Sequence, residues 1–246
     1  MKFSHRFRFF TGLLTLSLVG SLCFSPISAD AKKTTRKTAA QIAAEKAAAE
    51  QIEAERQAAY NKDIDSNAID GWPQGPQIYA ESAIVMEASS GAILYNKDMD
   101  MKNYPASITK ILTALITLEN CSLDEVVTYS YNATHSIDAG SSSIYTTEDE
   151  QLTVEQSLYA LMLESANECA NGLAEHVAGS IDSFAEMMNQ KAEELGCTNT
   201  HFSNANGLHD DNHYTSAHDM ALITRAAIQN PDFLRISGTA KYQMPP

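Results

Sequence analysis

The sequence predicts an α+β fold, an antiparallel sheet carrying a helical subdomain, and three observations point to it. Two short strand patterns, Ser82 to Met86 and Ala92 to Tyr95, flank the turn formers Ser89-Ser90-Gly91, the mark of an antiparallel hairpin. After Pro105, the residues Ile108, Ile111, Leu112, Leu115 and Ile116 recur at three- and four-residue spacing, which predicts an amphipathic helix from about Ser107 to Glu119. From Thr153 helical patterns follow one another to residue 229, with no internal repeat.

Residues 1–75 differ in character from these elements. Lys2, Arg6 and Arg8 precede an apolar run from Phe9 to Phe24, and Ala29-Asp30-Ala31 offers a small-x-small cleavage site, so residues 1–31 read as a secretory signal peptide. Left uncleaved, the same segment would serve as a weak membrane anchor, since its apolar run is short for a span. Lipid attachment at Cys23 is disfavoured by the bulky Leu22 before it. Residues 32–60 are built almost wholly from Ala, Glu, Gln, Lys, Arg and Thr, a helix-forming composition without a sustained apolar stripe. This is a solvated helical spacer. Gly71-Trp72-Pro73-Gln74-Gly75-Pro76 then concentrates turn formers and closes a spacer and linker over 32–75, leaving 76–246 as the folded domain.

Within that domain, residues 121–150 are polar and loop-rich apart from a short strand signal at Val126-Val127, and Gly140-Ser141-Ser142-Ser143 reads as a turn. Thr153 with Gln156 makes a capping-box pattern, and Val154, Leu158, Leu161 and Met162 face one side of the helix that follows. Further helix patterns lie near 167–178, 181–195 and 216–229, broken by Gly179 and Gly196 and ended by Asn230-Pro231.

Charge narrows the partners. Residues 61–246 hold eight Lys/Arg against twenty-six Asp/Glu, a net of −18, and a surface this acidic lacks the clustered cations that phosphate binding needs; nucleic acid is not an expected partner. Cys121, Cys169 and Cys197 remain beyond the leader, an odd number at wide spacings, so either one bridge with a free thiol or three thiols is open. No C-x-x-C occurs, which argues against structural zinc on cysteines, and no cofactor or metal is expected.

The chemistry-bearing pattern is Ser107-Ile108-Thr109-Lys110, followed downstream by Ser165-Ala166-Asn167. On a helix, positions three apart are neighbours, so Lys110 can reach the Ser107 hydroxyl. Serine needs an adjacent base to act as a nucleophile at neutral pH, and lysine serves once its pKa is depressed. A helix N-terminus beside it favours the oxyanion that develops on attack. Alone, S-x-x-K arises about once by chance in a chain of this length, and its plain alternative is a capping serine with a solvated lysine. S-x-N occurs twice, since Ser130-Tyr131-Asn132 competes with Ser165-Ala166-Asn167, and spacing does not choose between them.

The flanks carry more. Pro105-Ala106-Ser107-Ile108-Thr109-Lys110-Ile111-Leu112-Thr113-Ala114-Leu115 closely resembles the nucleophile segment of the serine-type D-alanyl-D-alanine carboxypeptidases, low-molecular-mass penicillin-binding proteins of peptidase family S11. Leu161 to Ala170 looks like that family's second motif, and Leu173 to Ser180, Phe184 to Asn189, Leu195-Gly196, Thr200-His201-Phe202, Asn206-Gly207-Leu208 and His213 to Asp219 continue the resemblance. It implies the penicillin-binding-protein transpeptidase-like fold. It also implies Ser107 as the acyl-ester nucleophile, Lys110 as its base, Ser165 as the proton relay to the leaving amine, and Asn167 as the amide that holds lysine and substrate. The implied substrate is a peptidoglycan stem peptide ending in D-Ala-D-Ala, with β-lactams as covalent inhibitors and a location at the extracytoplasmic cell wall. By the same resemblance, Ser130 stands at the end of a strand.

One departure is plain. The family's third motif, Lys-Thr-Gly, binds the substrate carboxylate and borders the oxyanion hole, and no Lys-Thr-Gly occurs before Pro246. Lys241 to Pro246 resembles the stretch that precedes it, so the expectation is an incomplete catalytic domain whose last strands, carboxylate site and any membrane anchor lie beyond. The alternatives are a non-catalytic cell-wall or penicillin-binding module and a related serine β-lactamase. Two rival features are set aside: His209, Asp210, Asp211, His213, His218 and Asp219 lack metal-motif spacing and read as a loop with Asp219 as a helix cap, and Cys169 reads as buried packing.

Overall fold

The computed structural model describes residues 37–244, so the expected signal peptide lies outside the described residues. The chain divides into two units, 1–46 and 47–246, with the division falling inside α1 (Ala39–Tyr60). In the first unit Thr38 opens that helix: its hydroxyl accepts from Gln41 N, and Gln41 Oε1 accepts from Thr38 N, so two otherwise free donors are satisfied. Of all α1, Ala59 alone is buried, as a helix with no apolar stripe requires.

In the second unit the end of α1 meets the first hairpin. Strands β1 (Ala83–Met86) and β2 (Ile93–Lys97) pair antiparallel, with Ala83 opposite Lys97. Lys97 is fully buried; its Nζ donates to the carbonyls of Ala59 and Ile78 at 2.7 Å each. It thereby places a cation at the C-terminal turn of α1, where the helix dipole is negative. The hairpin tip is tied by Glu87, whose carboxylate accepts from the backbone N–H groups and hydroxyls of Ser89 and Ser90. Those bonds hold its pKa down at about 2.

Helix α2 (Lys110–Asn120) is the core of the unit, packed by α4 (Val154–Leu163), α5 (Asn167–Ala178), α6 (Ile181–Glu194), α7 (Ala217–Ala227) and α8 (Pro231–Ser237). Leu112, Leu115 and Ile116 are buried as the stripe predicts, while Ile108 remains 48% exposed because it precedes the α-helix. Burying such a side chain contributes about 1.5–3 kcal/mol, whereas the threonines Thr113 and Thr117 cost about half a kcal/mol each in helix propensity. Packing therefore decides that this segment is helical. Both threonines are buried and satisfied, Thr113 donating to the Ala205 carbonyl and Thr117 to that of Thr113.

The capping box expected at Thr153 and Gln156 is present at the start of α4. Five elements went unread in the sequence, the first a 3-10 turn at Asp65–Ala68 within the expected linker. A 3-10 turn covers Ala106–Thr109 where the first turn of an α-helix was expected. Helix α3 (Tyr131–His135) and strand β4 (Gln151–Thr153) lie where loop was expected, and β4 pairs antiparallel with β3 (Val126–Thr128). Asn230-Pro231 ends α7's segment but also starts α8: Asn230 Oδ1 accepts from Asp232 N and Phe233 N, and Pro231 occupies the first turn. Cys121, Cys169 and Cys197 are all free thiols. Among the described residues no helix is long and apolar enough to cross a membrane.

Candidate active site

The site begins where the chain enters α2. Ala106 has φ +50, and the 3-10 geometry that follows nearly eclipses side chains three residues apart, which lines Lys110 up with Ser107. Lys110 Nζ lies 3.2 Å from Ser107 Oγ, 2.7 Å from Asn167 Oδ1 and 2.6 Å from the Asn206 carbonyl. Lys110 is buried and Ser107 is exposed, so an amine held in the protein lies against a hydroxyl open to solvent. Burial pushes the Lys110 pKa down from 10.5 to about 8, against the Glu168 carboxylate, which raises it.

The turn is braced from beneath. The buried Thr109 hydroxyl lies 2.8 Å from His213 Nε2, and His213 Nδ1 accepts from Ser203 N at 3.1 Å. Burial pushes His213 down to about 4, so at neutral pH it carries a single proton, which the Ser203 bond assigns to Nε2. Gly207, at φ +85, passes so near that a Cβ there would overlap the Ala106 carbonyl. Only glycine allows that approach.

The second motif spans the turn between α4 and α5. Asn167 is the first residue of α5; its N–H donates to the Ser142 carbonyl and its side chain meets Lys110. Ser165 sits in the turn with φ +57, its Oγ buried and without a hydrogen-bond partner. The structure thus joins Ser107, Lys110 and Asn167 by direct bonds and sets Ser165 beside Asn167 in the chain without bonding it to them. The competing Ser130 is occupied otherwise: it N-caps α3 and, with Asn132, donates to the Glu175 carboxylate.

Three contributors were missed in the sequence. Asn206 supplies a carbonyl, which any residue could supply, so no side-chain signal marks it; its own side chain bonds Asn171 and Leu208 N. Glu168 is buried, and its Oε1 accepts from Ser143 Oγ and Ile144 N at 2.7 Å each, while Oε2 has no partner. It fixes the 142–144 loop against the start of α5. The pairing of His213 with Thr109 joins residues 104 positions apart. Within the polar run 209–219, Asp219 proves not to be the cap. Ser216 caps α7, and the buried Asp219 carboxylate accepts from Thr198 N, Asn199 N and Thr200 Oγ1. His218 bonds Asp100, and Asp210 bonds Asn212 N and Ser203. Cys169 is buried at the centre of the core, and burial pushes its thiol up to about 12.

A family model described as D-alanyl-D-alanine carboxypeptidase, peptidase S11, matches residues 70–245. D-alanyl-D-alanine carboxypeptidase DacF of Bacillus subtilis is 35% identical over 162 residues, covering 65% of this chain and 42% of its own. Among solved structures, penicillin-binding protein 6B of Escherichia coli aligns with a TM-score of 0.67 at 30% identity, over 72% of this chain and 58% of its own. D-alanyl-D-alanine carboxypeptidase DacD of Francisella tularensis aligns at 0.63 and 33%, over 69% and 42%. The chain spans about two fifths of the length of the curated relatives it matches. With the family model covering most of its length and solved members sharing its fold, this chain belongs to the D-alanyl-D-alanine carboxypeptidase family, peptidase S11.

Proposed function

We propose that the protein is a serine D-Ala-D-Ala carboxypeptidase that removes the terminal D-Ala from peptidoglycan stem peptides at the extracytoplasmic cell wall. Family membership supports the substrate, and one observation carries the mechanism: a buried Lys110 bonded to Ser107, with a pKa near 8. Relative to an ordinary lysine at 10.5, that shift raises the neutral fraction at pH 7 about 300-fold, to about one molecule in ten.

Neutral Lys110 takes the Ser107 proton as Oγ attacks the carbonyl carbon of the penultimate D-Ala. Asn167 and the Asn206 carbonyl hold the resulting ammonium. The C–N bond then breaks, Ser165 passes the proton to the departing D-Ala amine, and water hydrolyses the Ser107 ester by the reverse proton path. A β-lactam acylates the same oxygen, its ring nitrogen taking the place of the leaving amine. The division into a signal peptide over 1–31, a spacer and linker over 32–75 and a catalytic domain over 76–246 belongs to the same reading, and the family match over 70–245 supports the last of these alone.

The test is release of D-Ala from a stem pentapeptide by the full-length protein. The wild type is expected to release one D-Ala per peptide and S107A none; release by S107A at the wild-type rate would remove Ser107 from the reaction.

A further inference from the structure

Outside the site, one cluster joins three kinds of metal-ligating side chain. Cys121 is the C-cap of α2, Glu125 stands directly before β3, and His176 lies in the last turn of α5. One ligand atom from each, the Cys121 sulfur, a Glu125 oxygen and a His176 ring nitrogen, all fall within 4.8 Å of one another. His176 Nε2 is 3.0 Å from Glu125 Oε2, and Glu125 Oε1 accepts from Ser122 N at 2.6 Å, which fixes the carboxylate's orientation. Cys121 and His176 are half-buried, open enough for an ion to enter.

We propose that Cys121, Glu125 and His176 bind a divalent, borderline-soft metal ion of the zinc class, clipping the ends of α2 and α5 to the start of β3. The ligand set matches that class, since thiolate and imidazole exclude magnesium and calcium chemistry. Geometry agrees: a zinc–sulfur bond of about 2.3 Å and zinc–nitrogen and zinc–oxygen bonds of about 2.0 Å place tetrahedral ligands about 3.3–3.5 Å apart, between the 3.0 Å His176–Glu125 edge and the 4.8 Å that bounds the other two. Electrostatics supply an independent reason. Two helices end here, and their negative dipole ends both favour a cation. On loading, the thiol proton leaves to solvent, the His176 proton moves to Nδ1, and a water completes the fourth position. The site is structural: Lys110 lies at the opposite end of α2, about 16 Å away along the helix. Ligands four and fifty-one positions apart form no sequence motif, which is why C-x-x-C counting passes over them.

The test uses the full-length protein freed of metal by chelation and titrated with Co2+, then Zn2+. The expected result is a thiolate-to-Co2+ charge-transfer absorption saturating at one equivalent and abolished by Zn2+. C121S removes the band, C197S keeps it, and H176Q weakens Co2+ binding by about tenfold or more, with circular dichroism confirming that each variant is folded. In the unmutated protein, Zn2+ slows alkylation of Cys121 by iodoacetamide, read by peptide mass. No band, a band that survives C121S, equal affinity in H176Q, or alkylation of Cys121 indifferent to Zn2+ would each overturn the proposal.

Discussion

At Lys110, three polar contacts within 3.2 Å do not offset the loss of water around the ammonium, and the pKa falls to about 8. Glu168 opposes that fall from one residue beyond Asn167. Replacing its charge while keeping its shape separates the two effects: in E168Q the amide oxygen still accepts from Ser143 and Ile144 N, but the attraction for a protonated Lys110 is gone. The proposed mechanism requires neutral Lys110 for acylation, so it predicts a rate that rises with pH through a midpoint near 8 in the wild type and a midpoint at lower pH in E168Q. An unmoved or higher midpoint contradicts the assignment. Ser165 gives the complementary case. Its buried hydroxyl has no partner, so S165A removes a group the fold does not use. Thermal unfolding should show stability kept within about 1 kcal/mol or raised, while penicillin acylation slows by about 10²-fold or more. Equal rates would remove Ser165 from the proton path. The juxtaposition of Ser107, Lys110 and Asn167 was legible because their flanking segments resemble a family's motifs, whereas spacing alone left Ser130 and Ser165 in competition. Asn206 was not, because a backbone carbonyl has no letter of its own.

At the scale of elements, the sequence reads best where burial is periodic and local. The stripe of α2 and the capping box of α4 are both patterns within a few residues, and both are present. Strand β4 is three residues long and exists because β3 pairs with it, which no local pattern announces. Asn230-Pro231 was read as a stop because proline ends helices; it is equally a first-turn residue, and the Asn230 cap decides the matter. The 3-10 turn at Ala106–Thr109 matters most for chemistry, and Gly207 lets the chain cross it. In G207A the added Cβ meets the Ala106 carbonyl at a backbone angle alanine disfavours. Denaturant unfolding should show a loss of about 1–3 kcal/mol, with slower acylation because Ser107 follows Ala106 directly. Unchanged stability and rate would show that this crossing does not position the nucleophile.

For the molecule as a whole, buried titratable groups set opposing slopes of stability against pH. Lys110 has a folded pKa below its ordinary value, so between about 8 and 10.5 the unfolded chain binds more protons and stability rises with pH. Cys169 and Cys197 have folded pKa values raised from 9.0 to about 12, so across that window the folded chain binds more protons and stability falls. Comparing the wild type with K110M cancels the cysteines. The stability of the wild type relative to K110M should increase from pH 8 to 10.5, and a flat difference in denaturant midpoints would contradict the burial of Lys110. The α+β class and the resemblance of the segment around Ser107 to the family could be read from one sequence because each of the family's motifs is a short run of contiguous residues. The bracing between them, His213 to Thr109 and Asn206 to Lys110, could not, because it is made by folding distant segments together. The central claim is that Ser107, activated by Lys110, is the acylated atom. Peptide mapping of the full-length protein after benzylpenicillin tests it most directly: the account predicts an adduct on Ser107 that forms about 10²–10⁴-fold more slowly in K110A, whereas an adduct on another residue, or wild-type rates in a folded K110A, would contradict it.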